Sequence, residues 1–117
     1  MSAGQIASLI RSHRFRFANE GELQAGISTL LDRSGVEHKR EVILSVGERI
    51  DFLVGPVGVE VKIGGGRNEV LRQLARYAEL DCISGLVLVT TKANHGGLPE
   101  RLNGKKVYLA SLLGGAF

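Results

Sequence analysis

Apolar residues along this chain recur with two different periods, and the change of period marks out the elements. Ile6, Leu9 and Ile10 fall on one helical face within residues 3 to 12. "HRFRFAN" at 13 to 19 alternates and reads as an extended connection. Asn19 stands where an N-cap belongs, ahead of a helix from Glu20 to about Ser34 whose apolar positions are Leu23, Ile27, Leu30 and Leu31. Gly35 ends it as a C-terminal glycine does. Three strand patterns follow: "HKREVILSV" at 38 to 46, "RIDFLVG" at 49 to 55 and "GVEVKI" at 58 to 63. Glycines 64 to 66 break the run, and "RNEVLRQLARYAEL" returns to helical spacing with Val70, Leu71, Leu74 and Ala78 on its apolar face. "GLVLVTT" at 85 to 91 is apolar without alternation, as a strand buried on both faces is. "KANHGGLPERLNG" reads as a loop, "KKVYLASLL" as a last strand or a strand plus a short helix, and "GGAF" as a frayed end.

This order predicts an α/β fold in a single domain spanning residues 1–117. The first three strands are close enough for an antiparallel meander. The strand ending at 63, the following helix and the strand from 85 form a crossover unit, which sets a parallel pair in the middle of a mixed central sheet flanked by helices.

The hairpin "RIDFLVGPVGVEVKIGGG" adds chemistry to this pattern. Side chains alternate along a strand, so Ile50, Phe52 and Val54 share one face and Asp51 and Leu53 the other. Likewise Val59, Val61 and Ile63 oppose Glu60 and Lys62. With Pro56 and Val57 as the turn, position 53 faces 60 and Asp51 faces Lys62, with Glu60 on the diagonal. A two-residue slip would keep these faces; a one-residue slip or a bulge would not. Two neighbouring carboxylates repel unless a cation sits between them, and oxygen-only ligands suit Mg²⁺, with Mn²⁺ as a substitute and the Val61 carbonyl as a further oxygen. Lys62 would orient a water or stabilise phosphate charge, which suits metal-assisted phosphodiester hydrolysis. Glu20 shares the inward face of its helix with Leu23, Ile27 and Leu31, whereas Glu22 shares the wet face with Gly26, Thr29 and Arg33; Glu20 is therefore the candidate third acid.

"ID" at 50 to 51 followed by "EVK" at 60 to 62 resembles the PD-(D/E)XK nuclease motif, with Ile50 where the motif has its proline. The element order over roughly residues 20 to 91 is similar to that family's restriction-endonuclease-like αβββαβ core, and "NEGELQ" at 19 to 24 resembles the helix that carries its first acid. "QLARY" at 73 to 77 resembles the QxxxY motif of RecB-like and lambda-exonuclease-like members, which implies that Gln73 and Tyr77 lie beside the metal site and help to position substrate. The resemblance implies a Mg²⁺- or Mn²⁺-dependent enzyme that cuts DNA. The chain is similar in size to Holliday-junction resolvases and virus-type replication-repair nuclease domains.

Charge and composition narrow this further. A formal charge of +3 permits a polyanionic partner without demanding one. Arg72 and Arg76 share a helix face and either meet phosphates or pair with Glu69 and Glu79. Lys92, just past the strand at 85 to 91, is a further candidate DNA contact, whereas His95 reads as an ordinary loop residue. The glycine run lacks both Gly-Lys-Ser/Thr and G-x-G-x-x-G spacing, which argues against a nucleotide loop. The single cysteine, Cys82, excludes an internal disulfide and reads as a buried, inert thiol. No apolar run reaches membrane-span length, and the N-terminal apolar run is too short for a signal peptide, so the expected location is cytoplasmic. The expected function is a Mg²⁺-dependent DNase using Glu20, Asp51, Glu60 and Lys62, with DNA as partner and a homo-oligomer as the way a small domain covers a duplex. The alternatives are a non-cleaving DNA- or protein-binding module, and an enzyme acting on a nucleotide or tRNA at the same site.

Overall fold

The computed structural model describes residues 1 to 112; the "GGAF" end lies outside the described residues. Helices α1 (Ala3–Arg11) and α2 (Glu20–Arg33) precede strands β1 (Lys39–Ser45), β2 (Glu48–Val54) and β3 (Val57–Lys62). Then come α3 (Arg67–Ala78), β4 (Gly85–Thr90), a single 3₁₀ turn (Ala93–His95), β5 (Arg101–Leu102) and β6 (Lys105–Ser111). The chain is α/β. Its six strands form one mixed sheet in the order β1-β2-β3-β4-β6-β5. The β1–β2–β3 meander is antiparallel, and β3, β4 and β6 run parallel through the centre. Among the described residues no helix is long and apolar enough to cross a membrane.

Caps and periodicity explain the helices. Ser2 and Gln5 form a reciprocal capping box on α1, and the Asn19 side chain accepts the Glu22 N–H at the start of α2. Ile6 and Ile10 of α1 and Leu23, Ile27 and Leu31 of α2 are fully buried against one face of the sheet, where they meet Phe52, Val59, Val61, Val87 and Val89. The other face carries α3, whose Val70, Leu74 and Tyr77 pack on Ile50, Ile83, Leu86 and Leu88. Strand β4 is buried at every position, as its unbroken apolar run predicts.

The hairpin between β2 and β3 differs from the expected pairing in two ways. First, the turn is Gly55–Pro56, and Val54 pairs with Val57, Leu53 with Gly58 and Phe52 with Val59. Gly55 takes a φ of 56° at the first turn position, which glycine adopts without strain, and Pro56 fixes the second. The register is thus two residues away from one that sets Asp51 across from Lys62; continued, it would set Asp51 across from Glu60.

Second, strict alternation fails at Ile50. Phe52 packs beneath α1 and α2, but Ile50 packs in the α3 layer. Ile50 pairs with Val42 and Phe52 with Arg40, and between those rungs Glu41 holds a left-handed φ of 50°. The hairpin therefore changes faces at the rung that contains Asp51. Gly58 tests this arrangement. A Cβ there would run into the Ile50 side chain and lie 3.0 Å from Leu86 Cδ2 and 3.3 Å from Ile83 Cδ1. Gly58→Ala is expected to lower unfolding stability by about 1–3 kcal/mol, the usual cost of overpacking a filled core. Urea unfolding measures this, and full tolerance of the alanine would place Ile50 on the opposite face. Cys82, expected inside, is exposed, because it follows α3 in the turn leading to β4.

Candidate active site

The last rung of the β2–β3 ladder is Phe52↔Val59. Beyond it the backbone partners are replaced by carboxylates. Asp51 Oδ2 accepts the Val61 N–H at 2.8 Å, and Glu60 Oε1 accepts the Asp51 N–H at 3.2 Å. Each acid thus satisfies a backbone donor that a longer ladder would have used. Lys62, one strand period beyond Glu60, brings its Nζ to 3.3 Å from Glu60 Oε2. Glu20 reaches in from the first turn of α2, where its Oε1 accepts the Ile63 N–H at 3.3 Å. Glu22, by contrast, folds back to accept the Ala18 N–H at 2.8 Å, so it caps its own helix.

Burial sets the electrostatics. Glu60 is only 3% exposed. Its carboxyl is pushed up to about 7, first by burial and next by the charge of Asp51, against the pull of Lys62. Asp51 is also raised, by burial first and by the charge of Glu20, while the Val61 N–H works in the other direction. Two acids that resist ionising side by side, with one ammonium against them, form a site with unmet demand for positive charge.

A cleft of about 380 Å³ opens beside this pair, lined by Glu20, Lys62, Gly64, Gly65, Glu69 and Gln73. Asp51 and Glu60 do not line this cleft; Lys62 does, and its Nζ connects the cleft to Glu60.

Helix α3 contributes a second layer. Gln73 Nε2 donates to the Tyr77 hydroxyl at 2.9 Å, and that hydroxyl donates to the Arg49 carbonyl at 2.6 Å. Tyr77 is fully buried, while Gln73 is half-buried and lines the cleft. Arg76 is held by Glu48, Nε to Oε1 at 2.7 Å, instead of by Glu69 or Glu79. Arg72 is exposed and has no ion pair among the described residues. Lys92 is exposed, and its backbone N–H donates to Thr90 Oγ1 at 3.0 Å.

His95 is the residue whose place the sequence pattern misses. It is fully buried, with Nδ1 2.6 Å from Thr90 Oγ1 and Nε2 3.0 Å from the Gly65 carbonyl. A carbonyl only accepts, so Nε2 carries a proton, and Nδ1 is bonded to the Thr90 hydroxyl. Arg67 adds bonds to the Gly96 and Gly97 carbonyls, so the loop after β4 is tied to the glycine loop that walls the cleft. The signal available in sequence was weak: a polar strand end at Thr90, five residues before a histidine.

The donor set for a cation contains oxygen only, which suits Mg²⁺ or Mn²⁺ and not zinc. Among the described residues no three His, Cys, Asp or Glu side chains converge at ligand spacing. The Asp51 and Glu60 carboxyls are close enough to act on each other's charge, and Mg²⁺ is commonly held by one or two carboxylates while it keeps several waters. The residues present fit such an ion through that pair, with Glu20 at the rim. Comparison of the chain with protein families, curated proteins and solved structures returned no match.

Proposed function

We propose that the protein is a Mg²⁺-dependent DNase with a restriction-endonuclease-like core of the PD-(D/E)XK type. The observation that carries this reading is the opened rung of the β2–β3 ladder. There a buried Glu60, raised to about 7, accepts the Asp51 N–H, Asp51 accepts the Val61 N–H, and the Lys62 ammonium lies 3.3 Å from Glu60. In this reading Asp51 and Glu60 hold the ion, the Val61 carbonyl supplies another oxygen, and Glu20 does so from the cleft rim. When bound, Mg²⁺ supplies Lewis-acid charge to a phosphodiester and lowers the pKa of a coordinated water.

The chain's own residues do the rest. Lys62 lines the cleft and would offer its ammonium to a water or to a phosphate oxygen there. Gln73 lines the same cleft and offers its amide oxygen to substrate, since its Nε2 is held by Tyr77. Arg72 and Lys92, both exposed, supply sequence-independent phosphate contacts. Arg76 joins them only after release from Glu48. A duplex exceeds what one such domain covers, and two copies on one DNA is the expected arrangement.

A second reading, a DNA- or protein-binding module that does not cut, is favoured by one observation: Lys62 already neutralises the Glu60 oxygen that a cation would take. Mg²⁺ titration separates the two. At about pH 8, saturating Mg²⁺ at roughly a hundred times its dissociation constant is expected to stabilise the protein by about 2.7 kcal/mol. The rise should vanish in Asp51→Asn and shrink well below pH 7, where Glu60 carries a proton. A thermal melt that ignores Mg²⁺ at about pH 8 rejects the nuclease reading and leaves the binding module.

A further inference from the structure

We infer that Tyr77, oriented by Gln73, is a positioning residue that holds β2 open at the acid pair and does not meet substrate. The catalytic half of this proposal rests on the nuclease reading; its structural half rests on hydrogen bonds alone.

The Tyr77 side chain has no exposed surface, so nothing in solution reaches its ring. Its hydroxyl has one proton and two oxygens within range, the Arg49 carbonyl at 2.6 Å and Glu60 Oε2 at 3.5 Å. The shorter, well-formed bond takes the proton, and 3.5 Å is the far limit of a hydrogen bond. Gln73 Nε2 donates to the phenol oxygen at 2.9 Å, which occupies a lone pair and keeps the O–H aimed at the strand.

Arg49 is the residue at which this matters. The β2–β3 ladder stops at Phe52↔Val59, so the stretch of β2 before it has left β3. Tyr77 gives that stretch a donor from α3. Two residues on, the Asp51 N–H donates to Glu60 Oε1, and Asp51 Oδ2 accepts the Val61 N–H. The chain of contacts therefore runs from Gln73 to Tyr77, to the β2 backbone, to the two carboxylates. Without the phenol O–H the Arg49 carbonyl loses its donor from α3, which leaves the Arg76–Glu48 pair and the packing of Ile50 as the ties between β2 and α3 here and loosens the placing of β2 against Glu60. Displacements on the order of 1 Å at such a site cost about 10²-fold in rate.

The test uses Tyr77→Phe, which keeps the ring and removes the O–H, and Gln73→Met, which keeps the phenol and removes its orienting donor. For Tyr77→Phe, kcat for DNA cleavage with Mg²⁺ is expected to fall about 10- to 100-fold, with KM within about twofold of wild type. Gln73→Met is expected to show a smaller kcat loss in the same direction. Amide hydrogen exchange at Asp51 and Val61 is expected to quicken by about tenfold in Tyr77→Phe, while that of β4 stays unchanged. A raised KM at unchanged kcat would assign Tyr77 to substrate and overturn the proposal, as would exchange at Asp51 and Val61 that matches wild type. Should the wild type fail to cleave DNA, the nuclease reading falls and the exchange arm still decides whether Tyr77 holds the strand. Should Tyr77→Phe fail to fold, Gln73→Met carries the exchange readout, and exchange at Asp51 and Val61 that matches wild type in that variant overturns the proposal.

Discussion

Glu60→Gln is expected to make the protein more stable at about pH 8 while abolishing DNA cleavage. In the folded protein the Glu60 carboxyl is pushed from 4.5 to about 7, mainly by burial and then by Asp51. A raised carboxyl means that the folded state holds the proton more tightly than the unfolded chain. Stability then falls as pH rises between the two pKa values and is flat above the higher one. A tenfold difference in proton affinity is equivalent to about 1.4 kcal/mol, so ionising Glu60 costs the fold about 3 kcal/mol above pH 7. Glutamine removes that cost and still accepts the Asp51 N–H through its amide oxygen. Its NH₂ group, however, faces the Lys62 ammonium. The net gain expected is about 1–3 kcal/mol at about pH 8, vanishing near pH 4, where the wild-type carboxyl is protonated in both states. Denaturant unfolding of both proteins at the two pH values measures this. A variant that is less stable than wild type at about pH 8 would mean that Glu60 is comfortable as an anion, and that the site has no unmet demand for positive charge.

Lys62→Ala is expected to lower kcat for DNA cleavage by about 10²- to 10³-fold, the usual cost of losing one positioned donor to a developing negative charge. It should also cost stability at about pH 8, because the partner Glu60 is buried and its anion would be left without its ammonium, and that cost should disappear near pH 4, where Glu60 is protonated. A second signature separates this loss from simple damage. Lys62 lowers the Glu60 pKa, so removing it drives that pKa further up, and the acid limb of the pH–rate profile should move to higher pH. Lys62→Arg should not restore the rate, since a planar fork cannot replace a compact ammonium at a partly enclosed position. Steady-state cleavage across pH for the wild type and both variants reads these effects together; an unchanged kcat in Lys62→Ala would remove the lysine from the chemistry.

The elements were legible because their causes are local. Asn19 and Gly35 bracket α2, the glycines at 64 to 66 separate β3 from α3, and the unbroken apolar run at 85 to 90 marks a strand buried on both faces. The gathering of Asp51, Glu60 and Lys62 was legible in part: the residues do meet, but through a two-residue slip of register and a change of faces at the Asp51 rung, neither of which alternation announces. The slip itself traces to the turn. Gly55 supplies a positive φ and Pro56 a fixed one, and the Gly-Pro pair was the clue that placed the turn one residue earlier.

Other features had no local cause to read. Ile50 leaves its expected face because Glu41, on the neighbouring strand, adopts a left-handed conformation that no periodicity announces. Tyr77 meets a backbone carbonyl 28 residues away, and His95 one 30 residues away. Helical spacing brings Gln73 and Tyr77 together, but only the packed layers decide that the tyrosine faces inward. Cys82 looked apolar enough to be buried and lies in an exposed turn.

The most direct measurement is cleavage of single-stranded, double-stranded and branched DNA at about pH 8, with and without Mg²⁺, by the wild type and Asp51→Asn. Asp51 is the choice because its carboxylate belongs to the acid pair, while its N–H bond to Glu60 survives in asparagine. The wild type is expected to shorten at least one substrate only with Mg²⁺, and Asp51→Asn to lose at least about 10³-fold of that rate, as removal of a metal-holding group should. Cleavage that proceeds equally in Asp51→Asn, or a wild type that leaves all three substrates intact with Mg²⁺ present, would contradict the nuclease reading.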